Sequence, residues 1–285
     1  MNAANRARAL VALAATLASC GGGVVPDPGG TSPDVRLQCS GGCVPSDTIS
    51  TGAITALMAV VDDGTRTQAQ AGFNTDGSLF HNVELEGDTL WLIDGGTQQR
   101  MLLARDGAWD FFLDFLTLGQ PYLADIAPQP TATRTYAFQL ERANGTVTSQ
   151  VTLPTPFTVT APGGGQVFAI GSSEVPVAVT TPLDTGNFGT TFTCTDANGN
   201  QTSNRVPDGL SFTQLGAGGE SFQFNVPAFL ASLEWDQDAA PPAAVARCDI
   251  TLHATSTNAG APSTAFHAFS ILQATQVRTV QFFLR

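Results

Sequence analysis

No lysine occurs in this 285-residue chain; its 12 basic residues are all arginine, set against 24 acidic side chains. The formal charge of −12 excludes any role that depends on a basic surface, such as holding nucleic acid. Charged residues make up only 13% of the chain and the hydrophobic set 42%, which excludes wholesale disorder and leaves apolar surface for a core. The apolar run near the N-terminus, Ala9–Leu17, is too short to cross a bilayer. Catalytic signatures are missing as well: there is no Gly-x-Ser-x-Gly elbow, phosphate loop, dinucleotide fingerprint or His-Glu-x-x-His. The length suits about two domains of ordinary size.

What is present begins with an address. Arg6 and Arg8 precede the apolar run, which ends in Leu17-Ala18-Ser19-Cys20. A positive start, a short apolar stretch and small residues before a cut describe a secretory signal peptide over residues 1–19. A cysteine directly after Leu-Ala-Ser resembles the bacterial lipobox. That resemblance implies lipidation of Cys20, palmitate included, and cleavage that makes Cys20 the first mature residue. Gly21 follows it where an aspartate would resemble an inner-membrane retention signal, so the implied destination is the outer membrane, with the lipid as anchor on either its periplasmic or its surface face. Several acyl chains hold far more firmly than one, since each buried methylene adds about 0.8 kcal/mol.

Residues 20–47 read as a lipidated tether, rich in glycine and proline with almost nothing to bury. Cys39, Cys43, Cys194 and Cys248 remain after the anchor, an even number in an oxidising compartment, which reads as two disulfides among three pairings. Cys39-Ser-Gly-Gly-Cys43 suits a small closed ring; the rival is a thiol pair for metal or redox chemistry, for which no histidine stands nearby.

Beyond the tether the pattern has period two. Ala69, Ala71 and Phe73 alternate with Gln68, Gln70 and Gly72; Tyr136, Phe138 and Leu140 alternate with Ala137, Gln139 and Glu141. Val175, Val177 and Val179, then Phe222, Phe224 and Val226, then Val280, Phe282 and Leu284 repeat the style. Many short strands between Gly- and Pro-rich turns predict an all-β chain of two consecutive sandwiches. The spacing places a first domain over 48–147 and a second over 148–285, with the boundary near Asn144–Thr148.

Alternation puts Cys194 on the face of Phe192, and Cys248 on that of Ile250 and Leu252, so both thiols face a core. This resembles the inter-sheet disulfide of immunoglobulin-like domains and implies a 194–248 bridge. The tryptophan and tyrosine-corner positions of antibody domains are not matched. The whole chain resembles bacterial outer-membrane lipoproteins that carry tandem immunoglobulin-like β-sandwiches on a Gly/Pro tether.

Candidate chemistry is sparse. Glu84, Glu86 and Asp88 at two-residue steps share one face if they lie on a strand, as a calcium or glycoside site would need; a solvated strand face is the plainer reading. Asp196, Asn198 and Asn200 have the spacing of the first half of a calcium loop without its closing acid, and Glu234, Asp236 and Asp238 alternate likewise. His253 faces away from Leu252 and so toward solvent, while His81 and His267 have no evident co-ligands. The run Trp109–Phe115 puts Trp109, Phe111, Phe112 and Phe115 on both faces of a strand, or Trp109 and Phe112 on the stripe of a short helix. It is accounted for as core or as a patch that docks a partner. The expectation is therefore a non-enzymatic envelope lipoprotein with no cofactor or metal, binding an envelope protein or a glycan. The alternatives are a calcium-dependent carbohydrate-binding or carbohydrate-active protein, and a passive spacer.

Overall fold

Where the sequence alternates, the chain runs extended and one set of alternate side chains turns inward. The computed structural model describes residues 43–75, 82–103, 122–127, 133–206, 211–234 and 244–285. Residues 1–42, with Cys20 and Cys39, and the run Trp109–Phe115 lie outside the described residues; the tether expected over 20–47 ends sooner, because Val44 and Pro45 pair with Val83 and Glu84 and Ser46 is buried.

Nineteen strands are defined among the described residues. The first ten are β1 (Val44–Pro45), β2 (Ile54–Asp62), β3 (Thr67–Thr75), β4 (Val83–Glu84), β5 (Thr89–Asp94), β6 (Thr97–Arg100), β7 (Leu102–Leu103), β8 (Tyr122–Ile126), β9 (Thr135–Arg142) and β10 (Gly145–Thr152). Then come β11 (Val159–Ala161), β12 (Gln166–Phe168), β13 (Glu174–Val179), β14 (Phe188–Asp196), β15 (Gln201–Val206), β16 (Phe212–Gln214), β17 (Ser221–Asn225), β18 (Val245–Ala259) and β19 (Ile271–Leu284). A short helix, α1 (Val226–Ala231), follows β17, with the Asn225 side chain accepting the Ala228 N–H to cap it.

The class expected from the sequence is the one found: all-β, with two sandwiches, each a pair of sheets closed over a core. They are joined more intimately than beads on a string. A nine-stranded sheet runs β15-β14-β18-β19-β2-β3-β8-β7, with β12 added along β19. One end faces the sheet β10-β9-β5-β6 across a core that includes Met58, Phe73, Leu92, Phe138 and Leu272. The other end faces β11-β13-β17-β16 across Val177, Phe188, Phe224, Ile250 and Phe282. Strand β19 serves both. Its first half pairs in parallel with β2, from Ile271 opposite Leu57 to Gln276 opposite Asp62, and its later residues enter the second core.

Two expectations are corrected here. Asn144-Gly145 turns a hairpin between β9 and β10 within one sheet, so it does not separate two domains. The first core takes Val151, Leu153, Phe266, Leu272 and Ala274 from beyond that point, because β2 needs β19 beside it and a parallel neighbour arrives only after a long crossover. Cys194 and Cys248 are bonded, but within one sheet: they stand opposite each other on neighbouring strands β14 and β18, with Cα atoms 4.1 Å apart. Phe192 opposes Ile250 two residues away on the same inward face, so the thiols meet along a ladder and not across the core. Closing 54 residues, the bridge contributes about 4 kcal/mol on a chain-entropy reckoning.

The sandwiches meet at Arg278. Its guanidinium lies 3.0 Å from Asp62 Oδ1 and also donates to the carbonyls of Asp62 (3.0 Å) and Phe157 (2.9 Å) and to Gln276 Oε1 (2.9 Å). The Phe157 ring lies 5.6 Å from its central carbon. Asp62, Gln276 and Phe157 are buried. Asp62 also accepts the Gly64 N–H and the Thr67 hydroxyl, so the turn after β2 is tied to the same cation. A second close fit lies at Gly260, where a Cβ would come within 2.6 Å of Leu272 and 2.8 Å of Val151.

Removing the cation while leaving Asp62 buried is expected to be severe. Arg278→Leu should cost about 3–5 kcal/mol in urea unfolding, the range for breaking one side of a buried pair. Gly260→Ala should cost roughly 1–3 kcal/mol by overpacking the contact between Val151 and Leu272. A change below about 0.5 kcal/mol in either variant, the scale of ordinary surface substitutions, would contradict this account.

Candidate functional site

The acidic row of the first half does not assemble. Strand β4 ends at Glu84 and β5 begins at Thr89, with a bend at Glu86 and Gly87 between them, so the three carboxylates share no strand face. Asp88 turns inward to Arg142, Oδ2 to Nε 3.0 Å, and both side chains are almost fully buried. The same guanidinium donates to the Thr51 hydroxyl (2.8 Å), the Ile49 carbonyl (2.9 Å) and the Ser46 carbonyl. Arg142, held in place by Asp88, therefore fastens the segment before β2 onto β9. Glu86 donates its N–H to Ser46 Oγ at 3.1 Å. Glu84 stays partly exposed, with its carboxyl raised above the ordinary 4.5 by partial burial and then by the charge of Glu86. Behind it, the buried Tyr122 hydroxyl accepts the Leu85 N–H and is pushed up to about 12, chiefly by burial.

The other candidates are also engaged in structure. Asp196 Oδ1 accepts the N–H groups of Asn198 (2.9 Å) and Asn200 (2.8 Å), and Oδ2 accepts Asn200 Nδ2 (2.9 Å). A buried carboxylate so occupied closes the β14–β15 turn, the ordinary work of an aspartate there. His253 is buried, contrary to the solvent-facing position expected of it: Gly189 stands opposite on β14, and Thr191 Oγ1 lies 2.9 Å from Nε2. His267 sits in the loop between β18 and β19, its ring 5.1 Å from that of Phe269. Glu234 is exposed, while His81, Asp236 and Asp238 lie outside the described residues, as do Cys20, Cys39, Trp109, Phe111, Phe112 and Phe115. Cys43 is disulfide-bonded, with its partner outside the described residues.

A surface that none of these expectations names is the outward face of β10-β9-β5-β6. Leu90 and Leu92 point into the core, which puts Trp91 on the outside, opposite Gln139 on β9 and Arg100 on β6. The indole N–H donates to Glu141 Oε2 at 2.8 Å, which fixes the ring's orientation. Gln98 and Thr148 lie further out on the same face, and Arg100, Gln98, Glu141 and Thr148 are exposed. The signal for this was present in the run Thr89–Ile93: once Leu90 and Leu92 are taken as the inward pair, the tryptophan between them must face out.

No family model matches the chain, and no curated protein matches it. Among solved structures, one similar chain is a chimeric titin Z1Z2-Z1Z2 tandem functionalised with a GRGDS peptide from fibronectin. It shows 13% identity and a TM-score of 0.21 over 81% of this chain and 97% of that one. Another is the I-band fragment I67-I69 from titin, at 8% identity and a TM-score of 0.23, over 82% of this chain and 65% of that one. Likenesses at these scores carry no argument about this chain.

The raised carboxyl of Glu84 gives a pH test. The folded state holds that proton more tightly than the unfolded chain, so stability falls as pH rises from the ordinary value of 4.5 through the folded one. Glu84→Gln removes the ionised form. It should therefore raise the melting temperature slightly at neutral pH and leave it unchanged in acid, where Glu84 is already protonated. A gain of equal size at both pH values would contradict the electrostatic origin.

Proposed function

We propose that the chain is a non-catalytic binding module of the bacterial cell envelope, hung from the outer membrane by lipids on Cys20. The observation that carries this reading is Leu17-Ala18-Ser19-Cys20 followed directly by a Gly/Pro-rich stretch up to the first described strand at Val44. Such a tether places a folded body away from the lipid surface, where it meets other envelope components and not the bilayer itself. Two features of the body support binding over catalysis. Asp88 and Asp196 are spent on internal contacts, while among the described residues a largely polar sheet face with a half-buried tryptophan is left open.

Cells expressing the chain should incorporate a palmitate analogue into it and retain it in the outer-membrane fraction. Cys20→Ser should abolish the label and release the protein from the membrane. In sedimentation with isolated envelope material, the purified chain should bind saturably. Absence of label on the parent chain would overturn the anchor. Turnover of a polysaccharide or ester substrate, or no saturable binding, would overturn the binding module.

A further inference from the structure

The outward face of β10-β9-β5-β6 has the dimensions and chemistry of a sugar platform. Adjacent strands stand about 4.8 Å apart and same-face residues along a strand about 6.8 Å apart, so the groups around Trp91 are spaced at roughly the width of one pyranose ring. The indole is half-buried on the outward side of β5, and the bond from its N–H edge to Glu141 fixes the ring's orientation on that side. Arg100 and Glu141 bring opposite charges to the face, so the cluster around Trp91 is close to neutral although the whole chain carries −12. An anionic polymer finds no net attraction there, and a neutral one meets no penalty.

We propose that this face binds a neutral, hydroxyl-rich glycan of β-linked, equatorially substituted pyranoses, with one ring stacked on Trp91. Equatorial substitution leaves an unbroken C–H face on each sugar, and those weakly positive hydrogens suit the negative face of the indole. Around the ring, the amides of Gln139 and Gln98, the Arg100 fork and the free lone pairs of Glu141 both donate to and accept from hydroxyls. Among the described residues the face is an open sheet and not a cleft, which fits an extended polymer better than a small molecule, for which burial on most sides is the rule. A protein partner fits less well, since interface centres gather several aromatic or apolar anchors and this face offers Trp91 and Ile93.

This inference rests on the binding-module reading and is tested apart from it. The purified full chain in detergent is titrated by calorimetry with two probes, a β-1,4-linked glucose hexamer and a β-1,4-linked N-acetylglucosamine hexamer. At least one should bind with a dissociation constant of about 10 μM to 1 mM. Trp91→Ala, with its melting temperature checked, should weaken that binding about tenfold or more; Trp91→Phe should keep part of it, and Gln139→Ala should weaken it several-fold. Equal affinity in a folded Trp91→Ala variant would overturn the site, as would silence of the parent chain toward both hexamers. If the hexamers fail while saturable sedimentation with envelope material persists, the glycan platform falls and the binding module stands.

Discussion

The guanidinium of Arg278 holds two sandwiches to one strand, and the architecture depends on it. Strand β19 must leave the first core and enter the second without a break, so the sheet has to stay continuous where the facing sheets change over. At that crossing the chain buries the Asp62 carboxylate and brings the Phe157 carbonyl within reach. Each is costly to bury alone. Arg278 serves both from β19 itself, and its Nε and terminal nitrogens point in different directions. Lysine would offer a compact point charge and no planar fork. Arg142 does comparable work at the outer end of the first sandwich, reaching Asp88, Thr51 and two carbonyls from one side chain.

That geometry reassigns the acidic residues. A surplus of carboxylates in the sequence invites readings as metal or acid–base groups, and in three places the fold uses them in internal contacts. Asp62 ends β2, Asp88 holds the Arg142 guanidinium that ties down the lead-in to β2, and Asp196 closes the β14–β15 turn. Asp63 follows the same pattern more openly: burial raises its carboxyl, but hydrogen bonds from Thr65 and Arg66, with the nearby charge of Arg278, outweigh that and hold it below its usual range.

Period-two alternation made most of the strands legible in the sequence, since Leu90/Leu92, Tyr136/Phe138/Leu140 and Phe222/Phe224 turn inward as their spacing requires. It also told that Cys194 and Cys248 face a core. It was silent on which strands become neighbours, because pairing is a long-range property that local spacing does not encode. Hence the bridge lies along a sheet, and β19 reaches back to β2 past a boundary the turn residues suggested. His253 failed for a related reason. A polar residue in an alternating strand reads as solvent-facing, but at this position β18 lies deep in the shared sheet between Gly189 and Thr279, and both faces are covered.

The same reasoning separates the two sheets that close the first sandwich. Strands β2 and β3 are buried along nearly their whole length on both faces, so Gln68, Gln70 and Asn74 are withdrawn from solvent although they alternate with core residues. In the facing sheet the alternation is clearer: apart from the buried Ala137, β9 and β10 bury one side and expose Glu141, Thr146 and Thr148 on the other. An antiparallel sheet with one wet face keeps its outward residues free of packing duty. That freedom is why Trp91 stands out. A large indole at an outward position gains less from burial than Leu90 or Leu92 beside it, and its N–H is already satisfied by Glu141. Core packing explains Leu90 and Leu92; Trp91 between them is held instead by its strand, by its cross-strand neighbours Gln139 and Arg100 and by the bond to Glu141.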